Sequence, residues 1–279
     1  MRVAIVTDST ADISAQEAEK LDITVVPLQV MFGERTFHDG IDIKASEFYP
    51  MMAAHSDLPT TSQPSAGTFV EIFERLLGEY DEVIGLFISS ELSGTVRSAE
   101  TARDLVGGAV TVVDSGLVAY ALGIVVLEAA ALAAEGATAA DILARVAFVQ
   151  ERTHAYFVVD SLYHLRRGGR LGSASSIIGA MLQIKPVLMI RDKTIAIYEK
   201  VRTQRRALET IADRFVADVQ GKNRIVAGVI HSAVQGQAEG FKERLQVLAP
   251  QAEWRVIELD PVVGVHVGPR VLSLIYFAE

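Results

Sequence analysis

The feature that most constrains this chain is an alternation of short β-branched runs with capped helical patterns. In the first half, Val3–Thr7, Ile23–Val26, Val83–Ile88 and Val110–Val113 are apolar runs of strand length, and branched side chains suit a pleated, buried surface. Helix starts lie between them. Ser14 and Glu17 have capping-box spacing, and Ala45–Ala54 is amphipathic. Ser65 precedes Phe69, Ile72, Phe73, Leu76 and Leu77 at helical intervals, and Ser93-Gly-Thr opens Val96–Leu105. Parallel neighbours need a crossover helix, so this order predicts a mostly parallel sheet flanked by helices. A helical stretch from Gly116 to about Arg152, broken near Gly136, closes that α/β domain.

The second half reads differently. Tyr156–Val159 is a strand, and a Gly/Arg-rich turn follows at Arg166–Gly172. Ile184–Ile190 and Thr194–Tyr198 flank Arg191-Asp-Lys193, which reads as a three-residue hairpin loop. Helices over 204–219 and 235–248 alternate with strands over 225–230, 255–259 and 271–277. These patterns predict a second α/β domain with a mixed sheet, dividing the chain into residues 1–153 and 154–279. The 279 residues are enough to bury two cores.

Composition removes several chemistries. With no cysteine, the chain has no disulfide framework, thiolate zinc site, iron–sulfur cluster or cysteine nucleophile. Its six histidines are scattered without paired helical spacing, and only His38 has an adjacent acid, Asp39, so neither a metal nor a cofactor is expected. The opening MRVAIVTDST reads as a strand, being too short for a secretory leader. Leu117–Ala134 is almost wholly apolar but carries Glu128, so it reads as a buried helix. The expectation is a soluble cytoplasmic protein without stable membrane insertion.

The formal net charge of -9 hides a division. Residues 1–150 hold 8 basic and 22 acidic side chains, whereas residues 151–279 hold 18 and 13. Ten of the basic ones fall between Arg166 and Arg206, against only Asp192 and Glu199. The overall acidity argues against nucleic acid, while the basic strip is either a solvated face or a surface for an anion or partner.

The candidate site is made of hydroxyls. Thr60-Thr-Ser-Gln-Pro-Ser65 and Ser89-Ser…Ser93-Gly-Thr95 each precede a helix, where free N–H groups and the helix dipole attract anions. Capping alone would also account for either segment. No lysine stands near them, which suits a single carboxylate better than a phosphate. Arg167-Gly-Gly-Arg-Leu-Gly172 lacks both the P-loop lysine and the dinucleotide glycine spacing. Asp8-Ser-Thr-Ala-Asp12, at a strand end, reads as an Asx turn leading into the capping box rather than a catalytic acid.

Five strings, Ile5-Val-Thr-Asp-Ser-Thr-Ala-Asp12, Thr60–Ser65, Ile88–Thr95, Val112-Val-Asp-Ser115 and Leu165-Arg-Arg-Gly-Gly-Arg-Leu171, together resemble the DegV family over essentially the whole chain. The resemblance implies a fatty-acid-binding protein: the acyl-carrying subunit of a bacterial fatty-acid kinase, active in phospholipid metabolism and not itself catalytic. It implies that Thr61 and Ser93 hold the carboxylate of a long-chain fatty acid such as palmitate or oleate. The acyl chain would run in a tunnel between or beside the domains, lined from Phe48, Met51, Met52, Ile177, Ile178, Met181 and Leu182. Arg170, Arg202 and His266 would flank the head group on the surface met by an ATP-binding kinase subunit, with His266 in a turn over Gly264–Gly268. One residue departs from the pattern: Arg270 stands where the family usually has a second glycine after His266-Val-Gly-Pro269. The alternative reading is a phosphotransferase binding nucleotide or phosphate at Ser93–Thr95 and Gly168–Gly172.

Overall fold

The computed structural model describes residues 2–55, 57–175 and 184–279. Four parallel strands, β1 (Val3–Asp8), β2 (Ile23–Val26), β6 (Glu82–Phe87) and β7 (Val110–Asp114), form a sheet in the order β2-β1-β6-β7. Its helices are α1 (Ala15–Lys20), α3 (Ala66–Leu77), α4 (Thr95–Val106), α5 (Tyr120–Ala134) and α6 (Ala139–Arg152). Alternation along the strands decides which residues face which helices. Ala4, Val6, Val83 and Phe87 pack with Phe69 and Phe73 of α3 and Val96 and Ala99 of α4, and α5 covers β1 and β6. The Ser14 capping box forms as expected. On α5, Glu128 accepts two hydrogen bonds from Arg145 of α6, at 2.6 and 2.9 Å, which is how a carboxylate is tolerated in so apolar a helix. No helix among the described residues is long and apolar enough to cross a membrane.

A smaller sheet was not legible in the sequence. Its strands β3 (Gln29–Phe32), β4 (Arg35–His38) and β5 (Thr60–Ser62) lie in the order β4-β3-β5. None of the three, Gln-Val-Met-Phe, Arg-Thr-Phe-His and Thr-Thr-Ser, is a continuous apolar β-branched run of the kind that marks β1 or β2.

A six-stranded mixed sheet holds the second half: β8 (Thr153–Val158), β9 (Lys185–Arg191), β10 (Thr194–Val201), β11 (Ile225–His231), β12 (Glu253–Glu258) and β13 (Leu272–Ala278), in the order β10-β9-β8-β13-β11-β12. Only β11 and β12 pair in parallel. Ile211 and Phe215 of α8 (Gln204–Val219) and Phe241 and Leu245 of α9 (Gln235–Leu248) pack with Tyr156, Val187, Leu274 and Tyr276 of the sheet. The β9–β10 loop has two residues rather than the expected three. Asp192 and Lys193 both have positive φ, 49° and 66°, as a two-residue turn matched to strand twist requires.

By packing, the chain divides into residues up to Ile43 with Thr61–Glu151, and Lys44–Thr60 with Arg152–Glu279. A single cut near residue 153 does not describe the excursion carrying α2 (Ala45–Ala54). Tyr49 of α2 donates to the Leu259 carbonyl at 3.0 Å, and Phe48 and Tyr49 lie against Gly264, where an added Cβ would stand 2.9 Å from the Phe48 ring and 2.8 Å from the Tyr49 hydroxyl. Gly264 belongs to α10 (Pro261–Val267), so α2 packs on a helix far along the chain, the Tyr49–Leu259 hydrogen bond beside it spanning 210 residues.

Candidate functional site

The first sheet places its loops by a simple topological rule. From β1 the chain turns to β2 on one side, and β6 and β7 add on the other. The switch therefore lies between β1 and β6, and the crevice at the carboxyl ends of those strands is where open α/β sheets bind ligands. Three segments with polar side chains meet that edge: Asp8–Ala11 after β1, Ile88–Gly94 after β6, and Asp114–Ser115 at the end of β7.

Ser93 sits one residue before Gly94, the N-cap of α4, which has no side-chain cap. Its backbone N–H donates to the Ser89 carbonyl at 3.0 Å. Its hydroxyl lies 2.9 Å from that of Thr95 and accepts from the Thr95 N–H at 3.4 Å. By contrast, α3 is capped in the ordinary way, with the Ser65 hydroxyl accepting from the Thr68 N–H at 3.1 Å. Thr61 is half-buried on β5 and plays no part in that cap. The start of α4, with its first-turn N–H groups and two adjacent hydroxyls, has the donor chemistry for a single anion.

Gln63, which has no signature of its own in the sequence, joins the two hydroxyl segments. Its amide nitrogen donates to the Gly94 carbonyl at 3.0 Å and to the Ser98 hydroxyl at 2.9 Å. A Cβ on Gly94 would fall 2.0 Å from the Gln63 side-chain oxygen, so glycine is what admits this contact. Asp114 fastens the loop from its other side, accepting from the Ser90 N–H at 3.1 Å and the Ser90 hydroxyl at 2.6 Å.

Asp8 is fully buried and caps the turn Ser9–Ala11. It accepts from the Thr10 N–H and hydroxyl at 3.0 and 2.5 Å, and from the Ile88 N–H at 2.8 Å. Burial raises its carboxyl above the usual range despite these donors. Asp39 is buried beside it; burial first, and then the Asp8 charge, push its carboxyl up to about 7. His38 pairs not with Asp39 but with Asp42, at 2.6 Å on the surface. Among the described residues, no cluster of three metal-ligating side chains occurs.

The second unit gathers a different set. His266 lies on α10 rather than in the turn expected over Gly264–Gly268. Asp260 caps that helix and Pro261 opens it, an N-terminal signature that was present in the sequence but outweighed by the valines. The ring of His266 rests on Gly168, where a Cβ would stand 2.4 Å from its Nδ1. Arg170 donates to the Gly168 carbonyl at 2.6 Å. Burial, and then the Arg170 charge, hold the His266 imidazole neutral down to about 4. Arg202 is exposed in the turn between β10 and α8, and no described contact joins it to Arg170 or His266. An apolar cavity of about 430 Å³ opens nearby, lined in part by Tyr49, Met52, Leu58 and His164. Phe48 and Met52 are buried and Met51 is half-buried; Ile177, Ile178, Met181 and Leu182 lie outside the described residues.

The model of the DegV family, described as an uncharacterised protein family, matches residues 2–279. The chain belongs to the DegV family. Among its DegV relatives, protein DegV of Bacillus subtilis is 37% identical over 276 residues, covering 98% of each chain. A DegV domain-containing protein of Caldanaerobacter subterraneus is 40% identical over 280 residues, covering 100% of this chain and 99% of its own. Two solved DegV structures are similar throughout. The B. subtilis DegV structure, described as a fatty-acid-binding protein, has a TM-score of 0.95 at 36% identity, with 100% of both chains covered. That of a DegV family protein from Thermus thermophilus, described for its fatty-acid binding, has a TM-score of 0.93 at 33% identity, again with 100% of both covered.

Proposed function

We propose that this chain binds a long-chain fatty acid and presents it to a separate ATP-binding kinase subunit, without turnover of its own and without a cofactor. The observation that carries the reading is the junction Gln63 makes, through Gly94 and Ser98, between the Thr61 segment and the start of α4 that follows Ser93, where Gly94 supplies no side-chain cap. Hydroxyl and backbone donors at a helix start stabilise one negative charge without a counter-ion, and Thr61 and Ser93 would be those donors. The likeness to fatty-acid-binding DegV structures supports the ligand class. Arg170, Arg202 and His266 would stand on the kinase-facing side, where a cationic surface suits the developing acyl phosphate.

Organic extraction of the purified protein followed by mass spectrometry should yield a fatty acid in stoichiometric amount. No such lipid, together with no binding of added palmitate or oleate, would overturn the reading. Isothermal titration with ATP alone should show no affinity; binding and turnover without a partner would favour the phosphotransferase reading instead.

A further inference from the structure

Two buried carboxyl groups lie at the switch point of the first sheet, and no lysine or arginine among the described residues pairs with either. Asp8 is 0% exposed and Asp39 is 4% exposed. Asp8 is supplied with donors on both oxygens. Asp39 draws on the Ser9 hydroxyl and the Gly40 N–H, yet its buried Oδ2 has no hydrogen-bond partner. Carboxylates left this way in the interior cannot both ionise without large cost, so one of them keeps a proton. Burial and the Asp8 charge together place that proton's loss at about 7 on Asp39.

The pair is wired to the loop that carries Ser93. The Ile88 N–H donates to Asp8 at 2.8 Å, and in the next residue the Ser89 carbonyl accepts from the Ser93 N–H at 3.0 Å. Among the described residues, the titratable groups around the pair are acidic or phenolic apart from His38. Asp12 is half-buried at the end of the Ser9–Ala11 turn, and the buried Tyr120 opens α5, which packs on that turn. Asp114 closes β7 against Ser90, and the His38–Asp42 pair lies on the surface of the neighbouring turn.

We propose that Asp8 and Asp39 form a proton-linked gate on the hydroxyl site, so that binding a ligand carboxylate there requires Asp39 to hold a proton taken from solvent. The inference rests on the reading of Thr61 and Ser93 as carboxylate ligands. A third negative charge near two buried carboxyl groups is tolerated only when one is neutral. The gate therefore favours loading at acidic to neutral pH and release as Asp39 ionises.

Lipid-free full-length protein tests this with radiolabelled palmitate and with calorimetry in buffers of differing ionisation heat. Palmitate affinity should fall about tenfold or more between about pH 6 and about pH 8.5, as one like-charge repulsion is added beside the site. Proton uptake should accompany binding in the wild type near neutral pH. Asp39→Asn should flatten both signals, and because palmitate itself titrates, the difference between wild type and variant is the deciding quantity. Asp8→Asn is the second variant, with the same flattening expected if Asp39→Asn does not fold. Palmitate binding without proton uptake, or with equal slopes in wild type and variants, overturns the gate and leaves the fatty-acid reading standing. No palmitate binding at any pH overturns the fatty-acid reading itself.

Discussion

At the scale of single residues, chemistry was legible where a side chain acts on its own sequence neighbours. The Ser14–Glu17 box, the Ser65 cap and the Asp8 Asx turn all formed between residues two or three apart. Gln63 could not be read in this way, because its partners Gly94 and Ser98 lie 31 and 35 residues further along. Ser93 offers the sharpest test of the site. Ser93→Ala should weaken palmitate retention by about 1.5–3 kcal/mol, the worth of one hydrogen bond to a charged group, as read by equilibrium binding. Unchanged affinity would mean that Ser93 serves only the turn before α4. His266 carries a pH prediction. Its folded value, about 4, lies below its ordinary 6.5, so the folded state binds fewer protons than the unfolded between those values. The stability it contributes is present above about 6.5 and lost as pH falls through about 4. Burial lowers His164 and His231 in the same direction. The denaturant concentration needed for unfolding should therefore fall steadily below about pH 6.5, and His266→Gln should remove on the order of 3 kcal/mol of that loss.

At the scale of elements, strands and helices of ordinary length announced themselves by period, and the misreadings were short or valine-rich. The helix α10 has seven residues with four valines, a composition that favours strand while its cap and proline favour helix. Its far end shows why Arg270 is a costly departure. Arg270 has φ 65°, in the left-handed region that the Cβ of any L-residue disfavours. The turn holds that geometry through Ser232, whose hydroxyl donates to the Gly268 carbonyl at 2.9 Å and accepts from the Val271 N–H at 2.8 Å. The Arg270 N–H in turn donates to the Ser232 carbonyl at 2.8 Å. Arg270→Gly should relieve strain worth about 1 kcal/mol, raising Tm by about 2–4 °C. A lower Tm would mean that the arginine side chain contributes more than its backbone conformation costs.

At the scale of the whole molecule, the division of charge follows the division of structure. The acidic first half carries the hydroxyl loops, and the basic strip runs through the turn after Arg166, the β9–β10 hairpin and the start of α8. If that strip meets the kinase subunit, Arg202→Ala should still retain palmitate yet slow acyl-phosphate formation about tenfold or more, with added salt depressing the wild-type rate. Normal phosphorylation by both Arg202→Ala and His266→Ala would remove the surface from that role. By itself the sequence determined the layered α/β class and the family, because periodicity, caps and motif strings are properties of neighbouring positions. Tertiary structure alone decided that α2 packs on α10, that Gln63 reaches Gly94, and that Asp8 and Asp39 share a buried corner. Each of these joins residues far apart in the chain, and burial, which sets whether a carboxyl keeps its proton, exists only once the fold has closed around it.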